Sequence, residues 1–157
     1  MKNPELITAD DLNSWPDNDA RDAQENFPRL VRKLLHETPG VSAVSARAGN
    51  GVNVSGYDGV AQSNETVSVL PSGSLIFEFG TNKKIASKAS DDFHKRAKQN
   101  DAAGHVFVFA TPRRWSGKDK WLEERRSEGK FANVWALDAD DLEAWLETSP
   151  SSRYWIS

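Results

Sequence analysis

The chain has 157 residues, a formal net charge of −3 and no cysteine. That length fits one domain, and a content of 38% hydrophobic and 27% charged residues is enough for a globular core. A disulfide framework and a thiolate zinc site are excluded. No stretch approaches the ~18 apolar residues of a membrane span. Met1 to Asp11 lacks the basic flank and apolar run of a secretory leader. The expectation is a soluble, cytoplasmic protein without a membrane partner.

The charge is uneven along the chain. Residues 1–25 carry Glu5, Asp10, Asp11, Asp17, Asp19, Asp22 and Glu25 against only Lys2 and Arg21. Lys83 to Lys98 holds six Lys or Arg side chains, and Arg113 to Lys130 holds several more. Such patches can steer a polyanion even when the total charge cannot, although each is equally read as a solvated helix face.

Residues 1–18, with Pro4 and Pro16, read as a polar lead-in, and residues 19–157 as a single domain. Asp19 to Glu37 reads as a helix, because Phe27, Leu30, Val31, Leu34 and Leu35 recur at helical spacing. Pro28 is expected to start or kink it, and Pro39-Gly40 to end it. A meander of three strands is expected next. Its strands are Val52 to Asp58, Thr66 to Leu70, and Ser74 to Gly80, the last two joined by Pro71-Ser72-Gly73. On the third strand Ile76, Glu78 and Gly80 share one face. Ile85, Ala89, Phe93 and Ala97 repeat every fourth residue and predict an amphipathic helix.

His105 to Ala110 is an apolar run suited to a strand buried on both faces. Lys118 to Glu128 is helical and stops at Gly129. Asn133 to Leu137 is a strand, followed by a helix with Leu142, Trp145 and Leu146 inward. The order predicts an α/β fold, a mixed β-sheet with helices on both faces. Trp121, Trp135 and Trp145 fall on core faces. The ending Tyr154-Trp155-Ile156-Ser157 is apolar and leads us to expect that the chain is part of a longer protein.

Glu78 stands out within Leu-Ile-Phe-Glu-Phe, since a carboxylate buried in a central strand needs a partner or a raised pKa. Asp58 lies in Tyr-Asp-Gly, which also reads as a turn. His36, His94 and His105 show no metal-ligand spacing, and Gly49-Asn50-Gly51 lacks the helix and lysine of a phosphate loop.

Gly56-Tyr57-Asp58-Gly59 followed by Phe77-Glu78-Phe79-Gly80-Thr81-Asn82-Lys83, set in this element order, resembles the PD-(D/E)XK nuclease superfamily. The resemblance spans roughly residues 19–146. It implies a restriction-endonuclease-like αβββαβ core with an extra helix–strand–helix, and Asp58 and Glu78 as ligands of Mg²⁺ or Mn²⁺. It further implies hydrolysis of DNA phosphodiesters, with the metal lowering the pKa of a bound water. The superfamily's lysine two residues beyond the glutamate is Gly80 in this chain. Lys83 is ranked first as its replacement, on an E-x-G-T-x-K pattern that includes Thr81, with Lys84 and Lys88 as the other choices. A further acid from the first helix would be Glu25, with Asp22 one turn earlier. Arg113 and Arg114, beside Trp115 at the end of a buried strand, and Lys84 are candidate DNA contacts.

By the same resemblance, the domain is an effector joined to an NTPase or sensor region in bacterial antiphage defence, and a homo-oligomer is plausible. Gly80 in the lysine position leaves a second expectation open, a catalytically inactive module of the same fold that binds DNA or mediates assembly. A third, a structural scaffold, predicts Glu78 paired with a basic side chain.

Overall fold

The computed structural model describes residues 7–46, 58–66 and 69–157. Its first helix, α1 (Ala9–Asn18), opens with a capping box. The Thr8 side chain accepts from Asp11 N, and the Asp11 carboxylate accepts from Thr8 N. Reciprocal capping of this kind satisfies two orphan amides of the first turn. Leu12 and Trp15 are buried beneath α1, so most of the expected lead-in is a packed helix. Pro16 lies within its last turn, where it ends rather than prevents the helix. Helix α2 (Ala20–Glu37) is capped by Asp19, whose side chain accepts from Asp22 N. Its apolar stripe is wholly buried, and Pro28 sits inside the helix instead of starting it.

Strands β1 (Val41–Ala46), β2 (Gly59–Ser63) and β3 (Gly73–Phe79) form the antiparallel part of the sheet. The predicted strand over 52–58 lies outside the described residues except for Asp58, which immediately precedes β2. Of the strand expected at Thr66 to Leu70, residues 67–68 lie outside the described residues and Thr66 belongs to no strand. The described chain pairs at 59–63, and Leu70 makes only an isolated bridge. After β3 come α3 (Ile85–Ala97), β4 (Val106–Ala110), α4 (Lys118–Ser127), β5 (Asn133–Leu137), α5 (Ala139–Glu147) and α6 (Pro150–Ile156). Of these, only α6 was not expected.

Among the described residues the sheet has five strands in the order β1-β2-β3-β4-β5. β4 runs parallel to both β3 and β5. This is a mixed α/β architecture with helices on both faces. Leu75, Phe77, Phe79, Val106 and Val108 pack with α1, α2 and α5 on one side. Ile76, Phe107 and Phe109 pack with α3 and α4 on the other, where Phe93 is the centre of an aromatic cluster with Phe107, Trp121 and Phe131. Trp121 and Trp145 are buried, and Trp135 packs at the edge of the core with its indole N–H on Val69 O. No helix among the described residues is long and apolar enough to cross a membrane.

Candidate functional site

The β2–β3 register brings the two carboxylates together. The register ends with Gly59 opposite Phe77, and Asp58 just before β2 lies within hydrogen-bonding range of Glu78, the residue after Phe77. Glu78 shares its face of β3 with Ile76, the face covered by α3. Asp58 is fixed at both ends, its N–H donating to Phe77 O (3.1 Å) and its Oδ2 accepting from Phe79 N (3.2 Å). Glu78 is only 2% exposed. Burial and the Asp58 carboxylate, at hydrogen-bonding range, push its pKa up to about 9, against the lowering effect of Arg96. The Arg96 guanidinium forms an ion pair with Glu78 Oε1.

Helix α3 supplies the rest of the cluster. Lys88, Asp92 and Arg96 are spaced four apart, so they stand above one another on one side of the apolar stripe Ile85-Ala89-Phe93-Ala97. Lys88 Nζ lies 3.1 Å from Asp92 Oδ1 and 3.0 Å from Oδ2. Burial raises the Asp92 pKa, Lys88 and Arg96 lower it, and the charge of Asp58 raises it further. The cluster thus holds three carboxylates, Asp58, Glu78 and Asp92, against two cations, Lys88 and Arg96. One negative charge is left over in a poorly solvated place, where a proton on Glu78 or an added cation would offset it.

Gly80 explains how a lysine reaches this cluster without occupying the expected position. A Cβ built on Gly80 would stand 2.6 Å from Phe109 Cζ and 3.0 Å from Lys88 Cγ. A side chain at 80 would collide with the Phe109 ring, and the Lys88 stem fills the adjoining space. Of the three lysines considered from the sequence, Lys88 is therefore the one the fold brings over Gly80.

Lys83 and Lys84 go elsewhere. With Thr81, Asn82 and Arg113 they line a second cleft, which adjoins one lined by Gln24, Asp58, Phe79, Gly80 and Thr81. Glu25 is half exposed and pairs with Arg29 (3.7 Å). Gln24, Phe27 and Pro28 are the α2 residues that line the Asp58 cleft, and Glu25 is not among them. Asp22 is engaged by Trp15 Nε1 (2.8 Å) and Asn26 Nδ2 (2.7 Å). Arg113 donates to Thr81 O (2.7 Å) and pairs with Asp17 (3.0 Å). Arg114 pairs with Asp10 and, at 3.5 Å, with Asp140. Trp115 is buried against Phe109 and Trp121, so its ring is core material and offers no face for a base. Sequence reasoning missed Asp92 and Arg96, although their spacing from Lys88 was the available signal.

Among the described residues no group of three His, Cys, Asp or Glu side chains could hold a metal ion. Asp58 and Glu78 alone offer hard oxygen donors, which suits Mg²⁺, an ion commonly bound through one or two carboxylates with most of its waters kept. A cation bound there would take the place of the proton that a pKa of about 9 keeps on Glu78 at neutral pH. Comparison with family models, curated proteins and solved structures gives no match for this chain, so a functional reading rests on this geometry and on the sequence motifs.

Proposed function

We propose that the chain is a metal-dependent endonuclease domain that hydrolyses DNA phosphodiesters. The observation that carries this reading is the meeting of Asp58, just before β2, with Glu78 on β3, beside a helix that brings Lys88 over Gly80. Asp58 and Glu78 would hold Mg²⁺ or Mn²⁺, which when bound lowers the pKa of a water and offsets charge on the phosphate. Phe79 N fixes the Asp58 carboxylate, and Arg96 fixes one oxygen of Glu78, so both are oriented before any ligand arrives. Lys88 supplies the positive charge near the attacking water, and Asp92 holds its ammonium in place. The resemblance extends this reading to an effector acting in bacterial defence beside NTPase or sensor regions.

Cleavage of supercoiled plasmid in Mg²⁺ or Mn²⁺ tests the reading. The wild-type protein should nick or linearise the plasmid, and Asp58→Ala and Glu78→Ala should each lose roughly 10²–10³ in rate. Lys88→Ala should lose far more than Lys83→Ala. Cutting that persists in both carboxylate variants would overturn the site. A second reading, a module that binds DNA or mediates assembly without cutting, is favoured by the Arg96–Glu78 ion pair, which already gives the buried carboxylate a partner. Wild-type protein that binds DNA and never cuts it would decide for that reading.

A further inference from the structure

The second cleft lies beside the carboxylates and has the opposite electrostatic character. It has a volume of about 400 Å³, within the range of small-ligand sites. Lys83, Lys84 and Arg113 line it, and among the described residues no carboxylate does. Arg113 is held rigidly, since Thr81 O and Asp17 fix its guanidinium and its side chain is only 11% exposed. Lys83 and Lys84 are exposed, and among the described residues neither ammonium is held by a hydrogen bond or ion pair, although Lys83 feels the charge of Asp17. Asp17, at the edge, offsets one of the three positive charges, which leaves an excess of two. Gln24 and Thr81 line both clefts, so the basic cleft opens directly onto the one that contains Asp58. The donors come from two loops that follow neighbouring parallel strands, β3 and β4.

We propose that the cleft formed by Lys83, Lys84 and Arg113 is a phosphate-binding site, distinct from the carboxylate cluster and built for a group carrying about two negative charges. Arg113 supplies a fixed planar donor, and the two lysines close on the anion as mobile point charges. The phosphate could come from a nucleic-acid strand that continues past Asp58, or from a free phosphorylated ligand. The proposal goes beyond hydrolysis at the carboxylates and holds whether or not the domain cuts DNA. It also gives Lys83 a ligand-binding role in place of a catalytic one.

Calorimetric titration with inorganic pyrophosphate, without divalent ions, tests the site on the whole chain. Lys83→Ala/Lys84→Ala should weaken binding by roughly tenfold or more, the loss of charge-assisted hydrogen bonds. Lys83→Arg/Lys84→Arg should restore it. Both lysines are exposed, so an unchanged melting temperature will show that the alanine variant is folded. The source of the phosphate is read from the salt dependence of binding to a short oligonucleotide. If a strand supplies it, the log–log slope should fall by about 1–2 in the alanine variant. A pyrophosphate effect with an unchanged slope assigns the site to a free ligand. Equal pyrophosphate affinity in wild type and alanine variant, with an unchanged slope, would overturn the proposal.

Discussion

The absence of a side chain at residue 80 shapes the site more than any single charged group. Phe109 crosses directly above Gly80, and the Lys88 stem lies alongside. Gly80→Ala should therefore destabilise the fold by about 1–3 kcal/mol through overpacking, read as a shift in the denaturation midpoint, and should disturb Lys88. An unchanged midpoint would mean that the ring yields freely. Glu78 supports a second prediction. Its folded pKa of about 9 lies above the ordinary value of 4.5, so between these the folded state binds more protons than the unfolded chain. Stability must then fall as pH rises through that window and level off above it. Glu78→Gln, which keeps the shape of the protonated acid, should flatten that fall. Parallel stability–pH curves for the two proteins would show that Glu78 is ionised throughout. Asp92 and Arg96 were legible in principle from their spacing, but a charged stripe on a helix is normally solvent-facing. Only the packing of α3 over β3 shows that this one points inward.

Among the elements, those with strong hydrophobic periodicity were the legible ones. The stripes of α2 and α3 and the apolar run of β4 specify their own boundaries to within a residue or two. Strand β2 could not be read in this way. Its buried positions are Gly59, Ala61 and Ser63, so the alternation is one of size and burial without a hydrophobic signal. Helix α1 carried a readable capping box at Thr8 and Asp11, but Pro4 and Pro16 pointed to a loose polar lead-in. Helix α6 had Pro150 at its first turn as a start signal. It is anchored by Glu37 at the end of α2, whose carboxylate accepts from Ser151 N (2.9 Å), Ser152 N (2.9 Å) and Ser152 Oγ (2.7 Å). Burial opposes ionisation of Glu37, but these three donors outweigh it and hold its pKa below 4.5. Its contribution is thus present above about 4.5 and lost as pH falls through the lowered value. Glu37→Ala should cost about 0.5–2 kcal/mol at neutral pH, as loss of a helix cap does, and much less in acid. A loss independent of pH would point to packing in place of charge.

At the scale of the molecule, the sheet divides the protein into a larger core under α1, α2, α5 and α6 and an aromatic core under α3 and α4. The carboxylate cluster lies on the second side, next to packed side chains, so a ligand gained there should be felt by the whole fold. If Mg²⁺ binds Asp58 and Glu78, millimolar Mg²⁺ should raise the melting temperature of the wild type by mass action and leave Asp58→Asn unmoved. Equal shifts in both proteins would place the ion elsewhere. The α/β class was readable from the alternation of helix and strand after β3, whereas the two-cleft arrangement depends on loop geometry that no periodicity encodes. The strand order has a consequence for how such a chain comes off the ribosome. Among the described residues each strand after β1 pairs with the one made just before it, so the sheet can be laid down in the order of synthesis. Asp58, Glu78 and the α3 stripe would be in place once β4 has emerged. The last helices then fasten back to the first ones, α5 through Glu143 to Ala9 N and α6 through Glu37. A nascent chain would therefore assemble its carboxylates well before its larger core is closed, with the final two helices serving as the latch.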